Sequence, residues 1–289
     1  MIRKIIFLSF LIAVLSATAI HAEIETGWIS GQIMIKDNVP LSNAMIVFFD
    51  AKSGPPPSTD KYFRVPDGID EVNSEGRFRV SLPAGKYYIG AIKRVSAEKA
   101  GPPLDGDYFF ISEDKAGNPM QHVIENGKEV KLGTLGEAVP YKRSLPEGVT
   151  GISGTILDMA GKPVEGAILF AYYTETMTGI PTFTSVKTGK DGKYIITVDK
   201  GGQYYLRVRD VYGGGPPIPG SIMGGYGEEK PTAATAKTGE ITKGVDIKVI
   251  RHLDMGPKHQ PGAGTDENIR EEQMKKIKQE MEKKIENKK

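Results

Sequence analysis

Between Glu23 and Arg251 the apolar positions of the chain recur with a period of two. In "RFRVSL" Phe78, Val80 and Leu82 alternate with polar residues, and in "KYIITV" Tyr194, Ile196 and Val198 do the same. Such alternation predicts strands with one buried face. "EG" and "DG" precede these runs, "PAG" and "KGG" follow them, and all supply turn residues that tolerate positive φ. "AMIVFF" and "AILFAYY" are denser apolar runs, as expected of strands covered on both faces or lying at the edge of a core. Further strands are predicted at Val130 to Leu135 and Val245 to Ile250. No 3.6-residue period appears in this stretch. The predicted fold class is therefore all-β, with two tandem antiparallel β-sandwiches.

The number two comes from a repeat. "ISGQIMIKDNVPLSNA" from Ile29 aligns without a gap on "ISGTILDMAGKPVEGA" from Ile152. Ile29, Ser30, Gly31, Ile33, Pro40 and Ala44 meet Ile152, Ser153, Gly154, Ile156, Pro163 and Ala167. Further on, Gly76, Phe78, Val80 and Leu82 meet Gly192, Tyr194, Ile196 and Val198. Tyr87-Tyr88 meets Tyr204-Tyr205 after one inserted residue. A duplication accounts for this correspondence. Phe78 and Tyr194 are expected to be equivalent core residues, and each half is expected to fold on its own, joined through "AVPYKRSLPEG".

The combined pattern, I-S-G-x-I, then P-x-x-x-A, then (E/D)-G-(R/K)-(F/Y), then (A/G)-G-x-Y-Y, resembles the carboxypeptidase regulatory-like domain. Two copies cover roughly 27–137 and 149–251. The resemblance implies a small transthyretin-like sandwich, similar to collagen-adhesin B-type repeats, acting as a non-catalytic accessory, adhesive or ligand-binding module. A fold analogy carries no ligand with it.

The ends of the chain read differently. Arg3 and Lys4 followed by the apolar run Ile5 to Val14 form a secretory signal, too short to span a bilayer comfortably. Cleavage is expected after Ala22, with Ala19 as the alternative site and an uncleaved anchor as the other reading. "DMGPKHQPGAGTDEN" reads as a flexible linker. The last segment carries Glu271–Lys275, Glu272–Lys276 and Glu280–Lys284 at helical i,i+4 spacing and a thin stripe of Met274, Ile277, Met281 and Ile285. It predicts a charged helix, either solvated or a docking and self-association element. The domain plan is then 1–22 signal peptide, 23–143 and 144–253 sandwiches, 254–265 linker and 266–289 helical tail.

Composition narrows the function. The chain has 289 residues, 38 Lys plus Arg and 36 Asp plus Glu; Arg3 and Lys4 lie in the leader, so the exported part is balanced. That argues against a general affinity for nucleic acid or acidic membranes. There is no cysteine, which excludes a lipid-modified cysteine, covalent haem and disulfides, so stability must come from burial. "HVIE" (His122 to Glu125) matches the H-x-x-E of zinc carboxypeptidases in letters but lacks a further ligand and a catalytic domain. His252 and His259 lack ligand spacing, and the acidic loop around Asp70 has no calcium-loop spacing. No catalytic residue, metal or cofactor is expected.

Candidate binding residues come from the inserts. If each connection reverses the chain, the loops after the second and fourth strands of each repeat emerge at one end, and these are the long ones. They set aromatics beside rigid prolines: Tyr62 and Phe63 in the first insert, Tyr108, Phe109 and Phe110 in the second, and Phe183, Tyr212 and Tyr226 in the other repeat. These eight are the candidate ligand-binding residues; the alternative is that they pin the loops onto the sandwiches. Trp28 is expected in or at the edge of the core. The expected function is an exported, periplasmic or extracellular, non-catalytic binding or scaffold protein. Its partner would be a glycan, a wall polymer or an envelope protein. The alternative is a purely structural spacer or subunit of a cell-surface assembly.

Overall fold

A computed structural model describes residues 25–58, 60–96, 98–213, 215–227 and 230–252. The predicted leader, the 254–265 linker and the tail helix lie outside the described residues. Among these there is no α-helix; one 3₁₀ turn spans Lys36–Asn38. The first repeat forms β1 (Thr26–Ile35), β2 (Val39–Pro40), β3 (Ala44–Asp50), β4 (Gly68–Val72), β5 (Arg77–Pro83), β6 (Gly85–Lys93), β7 (Tyr108–Ile111), β8 (Gln121–Ile124) and β9 (Glu129–Pro140). The second forms β10 (Thr150–Leu157), β11 (Ile168–Tyr172), β12 (Phe183–Thr184), β13 (Lys193–Val198), β14 (Gly202–Arg209), β15 (Ile222–Gly225), β16 (Ala233–Ala236), β17 (Ile241–Thr242) and β18 (Ile247–Arg251).

Each repeat is a sandwich of two layers. In the first, β1 pairs with β2, β5 and β9, and β6 pairs with β3, β7 and β8. In the second, β10 pairs with β13, β17 and β18, and β14 pairs with β11, β15 and β16. The layers are not purely antiparallel. β1 runs parallel to β9, and β10 runs parallel to β17 and β18. A parallel pair needs a crossover between its strands, and here the whole intervening repeat provides it.

The repeated letters now have physical reasons. Gly76 and Gly192 both adopt positive φ, and a Cβ there would lie 2.4 Å from the Ile33 carbonyl oxygen and 2.6 Å from that of Ile156. Those same isoleucines receive matching bonds. Ile33 N–H donates to Gly76 O and Ile156 N–H to Gly192 O, both at 2.9 Å. The first tyrosine of each Tyr-Tyr pair is buried and pins the preceding hairpin. Tyr87 donates to Pro83 O at 3.1 Å, and Tyr204 lies 2.8 Å from Lys200 O.

Phe78 and Tyr194 are 5% and 4% exposed and sit in the two separate cores. The Phe78 ring meets Phe48 edge-on at 6.4 Å, and the Tyr194 hydroxyl donates to Val245 O at 2.6 Å. The dense runs are covered on both faces. Ile46 and Phe48 face the first core, while Val47 and Phe49 face the opposite side. Leu169 and Ala171 face the second core, with Ile168, Phe170 and Tyr172 opposite. Trp28 departs from expectation. The alternation of β1 sends Ile29 inward and Trp28 outward, where it is 38% exposed with the Arg79 guanidinium 3.8 Å from its ring centre.

Candidate functional site: the junction of the two sandwiches

The long connections are β3–β4, β6–β7, β11–β12 and β14–β15, and residues from all four line one cavity between the sandwiches. The insert-bearing ends therefore face each other. Sequence reasoning found the inserts but had no signal for this, because strand direction within a repeat says nothing about how two repeats are placed.

The β3–β4 connection makes the closest junction. Tyr62 belongs to the first repeat, yet its side chain joins the core of the second. It is 8% exposed, and its ring meets Phe183 edge-on at 5.3 Å. Phe183 is fully buried and also meets Tyr173 and Tyr204 at 6.0 and 6.1 Å. The Tyr62 hydroxyl donates to Pro56 O at 2.7 Å. Burial, followed by the charge of Asp199, pushes its pKa up to about 12. The backbone beside it pairs with the edge of the second sheet. Arg64 bridges to Phe183, Val65 N–H donates to Thr182 O, and Thr184 N–H donates to Phe63 O, both at 3.0 Å. An edge strand left open is a liability; here the first repeat covers it.

Two arginines, Arg64 buried and Arg94 partly buried, hold the connecting segments in shape. Arg64, 7% exposed, donates to Pro55 O and Asp50 O at 2.5 Å and to Asp67 Oδ2 at 2.9 Å. Arg94 donates to Pro102 O at 2.7 Å, to Gly101 O, and to Asp107 Oδ2 at 2.9 Å. Asp107 is fully buried and also accepts from Val95, Ser96 and Leu104 N–H groups. Burial alone would raise its pKa; the backbone donors and Arg94 outweigh that and hold it below the usual carboxylate range. The position of Gly101 is required by its neighbour: φ is +101°, and a Cβ would lie 2.4 Å from the Tyr212 ring. Tyr212 donates to Ser185 O at 3.1 Å and meets Phe170 edge-on at 6.4 Å. At the surface, Lys187 and Glu98 pair across the junction at 2.8 Å.

The eight candidate residues thus divide. Tyr62, Phe63, Phe109 and Tyr212 line the interdomain cavity, and Phe183 lies behind Tyr62. Tyr108 and Phe110 face the first core while Phe109 faces away, because all three sit on β7 and alternate. Tyr226 packs on the second core. Tyr141, not singled out from the sequence, holds Phe63 and Phe109 together at 6.4 and 6.2 Å. Arg64, Arg94 and Asp107 were also missed, and Asp67 was weighed only as part of the acidic loop; the available signal was an Arg and an Asp beside each of these proline-rich inserts.

Fold and junction together define two tandem all-β sandwiches clamped through their inserts. No protein family matches the chain, and no curated protein matches it. Among solved structures, a streptococcal ancillary pilin is 16% identical over 79% of this chain and 63% of its own length, with a TM-score of 0.23. The chain thus spans less than two thirds of that protein. A minor pilin of Streptococcus agalactiae is 12% identical over 80% of this chain and 100% of its own, TM-score 0.24. A shaft pilin of Lactobacillus rhamnosus GG is 12% identical over 80% and 100%, TM-score 0.23. At these TM-scores the superpositions carry no argument about function, which rests below on the residues.

Proposed function

We propose that the protein is an exported, non-catalytic structural subunit of the cell envelope or cell surface, in which two regulatory-like sandwiches act as one stiff unit. The observation that carries this reading is the clamp: Tyr62 of the first repeat lies in the core of the second, beside a backbone pairing that covers β12. Inserts that serve as free binding loops stay at the solvated end of a sandwich. These inserts are instead spent on joining one sandwich to the next. The secretory pattern at Arg3 to Ala22 supports export, and the resemblance of both halves to carboxypeptidase regulatory-like domains supports an accessory rather than catalytic role.

A short amine-reactive cross-link applied to intact cells tests this. The full chain should enter discrete higher-mass species with itself or with other envelope proteins. Recovery only as an uncross-linked monomer, together with saturable binding on a glycan array, would overturn it in favour of a glycan-binding module.

A second reading, ligand binding at the inserts, is supported by the cavity that Tyr62, Phe63, Phe109 and Tyr212 line.

A further inference from the structure

The cavity at the junction has a volume of about 400 Å³. One wall is the outer face of the first sandwich, with Met45, Val47 and Phe49 from β3 and Ile92 from β6. The opposite wall is Phe170 and Tyr212 of the second sandwich. Ile69 and Ile180, 59% and 53% exposed, stand where it opens to solvent. The lining is mostly apolar, and the volume falls within the range of small-molecule sites.

The polar groups in the wall narrow the ligand further. Arg64 and Arg94 both line the cavity, but each is already bound to its own carboxylate, Asp67 or Asp107, at 2.9 Å. The wall therefore offers no uncompensated charge. A charged ligand would lose its hydration without gaining a partner of opposite sign.

We propose that this junction is a binding site for an uncharged, largely apolar small molecule seated between the two sandwiches. The site exists only when the two sandwiches are joined, so a bound molecule favours the clamped arrangement over a parted one by its binding energy.

The test uses the full chain with the neutral fluorophore N-phenyl-1-naphthylamine as probe and 1-decanol and decanoate as competitors, at pH 8. Uptake should saturate at one site per chain. Decanol should displace the probe, and decanoate should do so at least tenfold less well. In methyl-labelled wild-type protein, the probe should shift the Met45 and Ile180 methyl signals and leave Met159 and Ile250, at a separate groove, unchanged. Ile180→Trp and Ile69→Trp, both at exposed positions, should each weaken uptake at least tenfold without moving the unfolding midpoint. No saturable uptake, methyl shifts confined to Met159 and Ile250, or uptake untouched by both rim variants would overturn the site. Equal displacement by decanoate would overturn the uncharged class. None of these outcomes bears on the clamp itself, which stands on Tyr62 and the β12 pairing.

Discussion

Replacing Tyr62 by alanine removes a side chain that is covalently part of the first sandwich and energetically part of the second. The ring is 8% exposed and packs on Phe183, which is itself held by Tyr173 and Tyr204. Neighbours braced in this way cannot collapse into the space, so the loss falls in the range for a buried aromatic truncated to alanine, about 3–5 kcal/mol. The hydroxyl bond to Pro56 O is a smaller share, so Tyr62→Phe should cost about 0.5–1.5 kcal/mol. Urea unfolding of the full chain measures both values. Hydrogen exchange locates them: in Tyr62→Ala, protection should fall in β11 and β14, more than a hundred residues away in sequence from the substitution. A loss below about 1 kcal/mol, the size of a surface change, would refute the reasoning. So would faster exchange confined to the first sandwich, because Tyr62 would then support only its own half.

Two further outcomes follow from single side chains. Phe78→Ala, at a position 5% exposed in the first core, should cost about 3–5 kcal/mol in the same unfolding assay, and a loss under about 1 kcal/mol would remove Phe78 from the core. His122 is 8% exposed, its Nε2 lies 2.9 Å from Ser112 Oγ, and burial lowers its pKa below 6.5. The unfolded chain therefore binds this proton first as pH falls. The stability tied to neutral His122 is full above about pH 6.5 and is lost progressively below it, toward the depressed folded pKa. The urea midpoint should drop between pH 7.5 and 5, and His122→Gln should flatten that interval; an unchanged pH profile would show that His122 does not titrate there.

The clamp also changes what the duplication means. Each half of the sequence reads as a complete sandwich, and each does carry its own core. The second half expressed alone, however, would lack Tyr62 and the Phe63 to Val65 pairing that covers β12. Its edge and Phe183 would then be exposed, and the halves are not energetically independent in the way the repeat alone implies.

Local physics was legible in the letters. Period-two alternation placed Phe78, Val80, Tyr194 and Ile196 on inward faces, because a strand can bury only every second side chain. Glycine at 76 and 192 marked turns, because positive φ costs other residues more. The dense run around Val47 and Phe49 told of cover on both faces without saying what supplied it on the outer one. That answer is the second sandwich, and it belongs to the tertiary structure. So do the parallel pairings of β1 with β9 and β10 with β18, the seat of Tyr62 in a core whose sequence begins some ninety residues later, and the division of the aromatic run on β7 between core and cavity. Side-chain periodicity reports which groups leave water. It does not report which surface receives them, because an apolar face gains the same free energy against any well-packed partner. The identity of that partner is decided only when the two sandwiches come together, with Arg64 and Arg94 fixing the inserts between them.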